Sequence, residues 1–426
     1  MDKKRYEQAL QYRPVNIQKL FPKSKALIVS GKAVHAAMLK MREKGQHATA
    51  IAANGRNEWV IEGVLRAAAR TNSAVIIEIA KSESGYCEVN SLNLAQKVNN
   101  LMEKLGLQVV VAIHADHYGI KKEEDFNKAK TDIPKLIEAG TTSFAIDASH
   151  MPHNQNVLYN IELGKIIPTW MSMETEVGEI KGDIGLSTVE EALFHIKALN
   201  ANGIFPVWIA LNNGTVHGLK VGGGNIHVGR TAEIHAAIQK YGVYGAQHGT
   251  SGNNYDKLRD IVQKTNTTKT NVATALQMIS WGLKVNEFGN AELDGDKNFI
   301  KIKDLGVTDE AWQKMIEIAK TKGWKGNDYK NLNKDIDPEL KKLPKNIQDR
   351  MVKGVEDFVT NLFVNIFNSS NTADLAVDAL LEAKSPEIKL FDKVLEDKKF
   401  WTVDYINKEG QRLLEKQNEA TGNFDD

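Results

Sequence analysis

Gln108-Val-Val-Val-Ala-Ile-His114-Ala-Asp116-His117 is the stretch on which the reading of this chain turns. Val109 to Ile113 is short, apolar and β-branched, as a strand buried on both faces must be. Two histidines and an aspartate follow at once, where such a strand hands over to a loop. The amphipathic segment Asn93 to Leu105 precedes it. A helix, a buried strand and ionisable groups at the strand's exit make one unit of a parallel α/β protein.

Working outward, the unit recurs. The other apolar runs are Ala48 to Ala53, Ala74 to Ala80, Thr142 to Asp147, Trp170 to Val177, Ile204 to Leu211, Tyr241 to Ala246 and Lys269 to Thr274. Helical patterns precede most of them: Lys32 to Lys44, Trp59 to Arg70, Phe126 to Ala139, Val189 to Ala201, Arg230 to Gln239 and Tyr255 to Lys264. Eight units in sequence predict a (β/α)₈ TIM barrel, an α/β fold. An open doubly wound sheet is the alternative, but it would gather polar groups at one switch point. Here they follow nearly every run.

The chain divides into a helical lead-in at 1–45, the barrel at 46–287 and a helical C-terminal extension at 288–426. In the extension, Asp309 to Lys320, Ile347 to Phe367 and Ala373 to Ala383 are amphipathic. Val355, Phe358, Val359, Leu362, Phe363 and Ile366 form one apolar face. It packs on the barrel or at a subunit interface, and the sequence favours neither.

A net charge of +1 gives no electrostatic case for nucleic acid or membrane as a partner. The single Cys87 fits a reducing compartment. No apolar segment follows the charged N-terminus, so no signal peptide is read, and a cytoplasmic protein is expected.

All 11 histidines lie at or before His248. His117, His217 and His248 follow the third, sixth and seventh runs. Any one alone reads more simply as a hydrogen-bonded core or surface histidine. Three at equivalent places on one barrel rim read as a divalent-metal site with a position left open for substrate. Asp116, beside the first, is placed to carry a proton. In a regular strand Asp116 and His117 point to opposite faces, so both serve the site only where the backbone turns after Ile113. Glu174 and Glu176 share one face of the fifth strand. Two inward carboxylates need a compensating metal, lysine or salt bridge. Gly249-Thr-Ser251-Gly252 and Asn271-Val-Ala-Thr274 follow the last two strands, where barrels often hold phosphate. The glycine-rich segment from Gly218 to Gly224 carries Lys220 as a charge partner.

Taken in order, His-Ala-Asp116-His117, Ile-Asp147-Ala-Ser-His150-Met-Pro, Glu174-Thr-Glu176-Val-Gly178, Val-His217-Gly218, His248-Gly249-Thr-Ser251-Gly252 and Asn271-Val-Ala-Thr274 resemble the class II, metal-dependent fructose-bisphosphate aldolases. The likeness covers roughly residues 30 to 285. It implies a carbon–carbon lyase of carbohydrate metabolism and glycolysis, acting on a phosphorylated sugar. It implies zinc on His117, His217 and His248, with another divalent metal or an added monovalent cation as alternatives. Asp116 matches the acid/base at the C4 hydroxyl, and Asn271 the residue that steadies the enediolate. Gly218, Gly249, Ser251 and Thr274 match a phosphate cradle. Asp147 and Glu176 match supporting or alternate-metal carboxylates. A homodimer or homotetramer is expected. The family's Gly-Gly-x-Glu-Asp loop is replaced by Gly178-Glu179-Ile-Lys-Gly182-Asp183-Ile-Gly185, so Glu179 or Asp183 is expected to supply a second acid/base from a lid. That change, with Ala273 where Asp or Asn is common, keeps tagatose-bisphosphate cleavage and sugar or sugar-phosphate epimerisation in view; a non-catalytic partner subunit is the third alternative, and the retention of all three histidines and Asp116 argues against it.

Overall fold

The computed structural model describes residues 1–179, 185–215, 226–250, 253–286, 289–296 and 298–422, without the side chains of 327 and 418–422. Nine parallel strands form one sheet: β1 Leu27–Val29, β2 Ala50–Asn54, β3 Val75–Ala80, β4 Val110–Gly119, β5 Ser143–Asp147, β6 Ser172–Val177, β7 Trp208–Leu211, β8 Tyr244–Gln247 and β9 Thr267–Val272. β2 to β9 pair in sequence order and β9 pairs back onto β2, so eight strands close a TIM barrel. The open-sheet alternative is thereby excluded. β1, which sequence reading did not resolve, pairs with the start of β4 beneath β5.

Alternation along β4 shows how the layers separate. Val110 and Ala112 point inward, into a cluster shared with the helix Gly31–Glu43. Val111 and Ile113 point outward, against the helices Glu58–Thr71 and Leu94–Leu105. The helix Gly31–Glu43 closes the barrel floor. A Cβ on Gly31 would lie 2.1 Å from the Ser172 Oγ, so only glycine lets the helix start directly beneath the strands. The helix Val189–Ala201 begins where the sequence marks it. Thr188 accepts from the Glu191 N–H while the Glu191 carboxylate accepts from the Thr188 N–H.

Seven outer helices follow β2 to β8 in turn. The eighth place in the ring is taken by Lys345–Asn361, from the C-terminal extension. Its Val355 and Val359 share the outer cluster with Val60, Val64 and Leu65, and the adjoining turn Leu362–Ile366 adds Leu362, Phe363 and Ile366. A Cβ on Gly63 would meet the Val355 Cβ at 2.6 Å, which is how closely the two helices approach. The apolar face is therefore covered by the chain's own barrel. The helix Thr372–Ala383 seals the floor helix from below, and Val403–Gly422 lies on His153–Gly164. No helix among the described residues is long and apolar enough to cross a membrane.

Three histidines are structural. His35 Nδ1 meets Thr268 Oγ1 at 3.1 Å, His195 Nε2 meets Thr175 Oγ1 at 2.7 Å, and His235 lies under Gly245. Burial drives the pKa of each down to about 3. An unfolded histidine binds its proton near about 6.5. Between those values the unfolded chain holds more protons than the folded one, so stability falls as pH falls. Each histidine contributes about 1.4 kcal/mol per pH unit inside the window and nothing above it. The expected result is a melting temperature that drops steeply as pH falls from ~6.5 towards ~4. Thermal scans by circular dichroism check it; a level profile throughout refutes it.

Candidate active site

β4 carries the device that the sequence left open. Its register against β5 shifts between Ala115 and Tyr118, and His117 takes φ +39°. This bulge breaks the alternation two residues beyond the expected place and turns His117 to the side that Asp116 already faces. A non-glycine residue in the left-handed region is strained, and such strain collects at functional sites.

The strand ends converge as a result. His117 Nε2 lies 2.6 Å from His248 Nδ1. Each ring is oriented from behind by carboxylates. His117 Nδ1 is 3.2 Å from Glu176 and 3.4 Å from Asp147, and His248 Nε2 is 2.7 Å from Glu174. Asp116 lies 4.0 Å from His117 Nε2. The ligand atoms of Asp116, His117 and His248 all fall within 4.8 Å of one another.

That donor set fits a divalent cation. Two imidazole nitrogens face each other at hydrogen-bond distance beside a carboxylate, and carboxylates hold both rings' far nitrogens. Carboxylate–imidazole pairs of this kind fix tautomer and raise ligand basicity at metal sites.

The electrostatics follow from burial opposed by charge. Burial alone would raise Asp116, but His117 and then Lys269 hold it well below the usual carboxylate range. Burial likewise opposes ionisation of Glu174, yet Lys269 and His248 bring it down to about 2. Burial and the Asp147 charge push Glu176 up. Glu78 is driven well above its ordinary value by burial and by Asp116.

A cavity of about 680 Å³ opens on this centre. Asp116, His117, Asp147, Glu176, Glu179, His248, Gly249, Asn271 and Thr274 all line it, so these expected residues are brought together. Gly249 takes φ +60°, where glycine is at ease. Glu179 stands 3.1 Å from His150 Nδ1. His217, Gly218, Lys220, Ser251 and Asp183 lie outside the described residues.

Sequence reasoning missed Lys269 and Glu78. Lys269 is fully buried, with its Nζ 2.9 Å from Glu174, 3.3 Å from Glu78 and 3.7 Å from Asp116. It is the cation that the inward carboxylates of β6 require. Its signal was available: it stands two residues before Asn271 on one strand, hence on the same face. Arg56 and Glu83, paired at 2.7 Å in the cavity wall, were also missed.

Comparisons with known proteins agree with this geometry. The family described as fructose-bisphosphate aldolase class-II matches residues 34–326. A fructose-bisphosphate aldolase of Streptococcus pyogenes serotype M6 is 31% identical over 281 residues, 61% of this chain and 86% of the relative. One from Streptococcus pneumoniae serotype 4 is 29% identical over 279 residues, 61% of this chain and 86% of the relative. Among solved structures, the YdjI aldolase of Escherichia coli K12 superposes with a TM-score of 0.53 at 16% identity, covering 80% of this chain and 97% of that one. A putative fructose-1,6-biphosphate aldolase of Coccidioides immitis gives 0.54 at 17% identity, covering 80% and 97%. These structural likenesses bear on the fold alone. With the family match spanning most of the sequence and the described motif residues gathered at one barrel mouth, this chain belongs to the class II fructose-bisphosphate aldolases, a metal-dependent family of lyases.

Proposed function

We propose that the protein cleaves fructose 1,6-bisphosphate into dihydroxyacetone phosphate and glyceraldehyde 3-phosphate, with zinc as its metal. The observation that carries this is a buried carboxylate, Asp116, whose oxygen lies within 4.8 Å of two converging imidazole nitrogens at the mouth of the barrel. His117 and His248, with His217 by sequence, would hold the ion. When bound, it supplies a Lewis acid for the substrate carbonyl and the charge of the enediolate.

The protein's own groups do the rest. Asp116 takes the proton of the C4 hydroxyl as the C3–C4 bond breaks, and the aldehyde half leaves. Asn271 points its Nδ2 towards Asp116 Oδ1 at 3.2 Å and donates to the enediolate oxygen from the cavity wall. Glu176, Asp147 and Glu174 keep the imidazoles aimed. Glu179, paired with His150, returns a proton to the enediolate carbon. Gly249 and Thr274, together with Gly218, Lys220 and Ser251, receive the phosphate of the dihydroxyacetone half.

The deciding experiment incubates purified protein with fructose 1,6-bisphosphate and reads both triose phosphates. Cleavage is expected, lost on dialysis against a chelator and restored by zinc. Faster cleavage of tagatose 1,6-bisphosphate would revise the stereochemistry at C4 and keep the mechanism. Failure of the metal-loaded protein on both bisphosphates overturns the proposal.

A further inference from the structure

Nothing in the scheme above uses Lys269, although it is fully buried at the centre of the barrel. An ammonium there is costly unless acceptors surround it. Glu174, Glu78 and Asp116 do so from three other strands. Its shortest contact is different: Nζ donates to the Asn271 side-chain Oδ1 at 2.8 Å.

That bond has a directional consequence. An ammonium has donors only, so it can be met only by the carbonyl end of an amide. Lys269 and Asn271 are two residues apart on β9 and share its inner face. With Oδ1 held on Lys269, the Nδ2 end must turn the other way. It turns to Asp116 Oδ1 at 3.2 Å and to the cavity that Asn271 lines. An amide nitrogen has two hydrogens. Asp116 takes one, which leaves the second for an oxygen in the cavity. The flipped amide would place its oxygen against the Asp116 carboxylate and take the acceptor away from Lys269.

We propose that Lys269 is a positioning residue that locks the Asn271 amide with its donor towards the substrate, so that the developing enediolate oxygen meets an N–H and not a carbonyl. The inference rests on the reading of Asn271 given under Proposed function. It adds a lysine that forms no covalent link to substrate and works one residue removed from it.

The test reads enolisation alone, as exchange of solvent deuterium into dihydroxyacetone phosphate, followed by proton NMR with the zinc-loaded protein. Lys269→Met, Asn271→Ala and the double variant are compared. Asn271→Ala is expected to slow exchange by roughly 10²-fold. Lys269→Met should lower kcat at least about tenfold and move KM less than about threefold, as loss of an interaction made only in the transition state does. The double variant should be no slower than Asn271→Ala, because Lys269 then has no amide left to orient. Losses that multiply, or a Lys269→Met variant as fast as the unmodified protein, overturn the inference. Exchange unchanged by Asn271→Ala, or absent from the unmodified protein, removes the reading of Asn271 and this inference with it. Melting temperature and zinc content establish that each variant folds. If Lys269→Met does not fold, the same comparison is made on a Glu78→Gln background, which removes a carboxyl group along with the ammonium.

Discussion

Asp116→Asn is expected to keep its metal and lose turnover by about 10²–10⁴-fold, the usual worth of a general acid–base group. The amide preserves the shape of the carboxylate and cannot accept the proton. The site is built to keep this group charged. Lys269 lies 3.7 Å away, the Asn271 amide donates to it at 3.2 Å, and His114 Nε2 stands at 3.6 Å. An asparagine there also meets donors where an acceptor stood, so some loss of position adds to the loss of chemistry. Steady-state kinetics with zinc analysis of the same sample is the check. A fall of less than about tenfold, with zinc retained, would move the proton-handling role to Glu179.

The second large effect is on the metal itself. His248→Ala is expected to abolish stoichiometric zinc and, with it, activity. His248 is buried, held by Glu174 at 2.7 Å, and its other nitrogen faces His117. Glu174→Gln keeps the ring and weakens its support, so metal affinity should fall by only about 10–100-fold. His217→Ala should behave like His248→Ala, on the strength of its place in the sequence motif. Metal content by atomic emission after exhaustive dialysis separates these cases. Full zinc occupancy in His248→Ala would falsify the ligand assignment.

Much of this was legible because buried parallel strands and amphipathic helices leave strong periodic marks. The eight apolar runs correspond to β2 through β9, and Val189–Ala201 begins and ends as its pattern suggests. Strand β1 has only the residues Leu27–Val29, too few for a period to register. The joint use of Asp116 and His117 was legible as chemistry and not as geometry. A bulge with φ +39° at a histidine has no local sequence mark, since glycine is the usual signal for that conformation. Lys269 was half legible. Its alternation with Asn271 could be read, but its partners Glu78 and Glu174 come from β3 and β6, and only closure of the barrel brings them near. The face on Lys345–Asn361 was read correctly as apolar. Such a face carries no address, so its place beside Glu58–Thr71 had to come from the structure.

That last helix also sets the order in which the protein can be finished. β9 ends at Val272, yet the outer ring is completed only by Lys345–Asn361 and the turn to Ile366. During synthesis, the flank made by Val60, Val64, Leu65, Leu258 and Ile261 lacks that part of its cover until this distant helix has been made. The pairing that closes the strands, β9 on β2, needs nothing beyond Val272, while the cover for this outer flank comes from the C-terminal third. The family likeness stops at residue 326, short of this helix. A polypeptide ended there would hold every described catalytic group and still lack the helix that covers this flank.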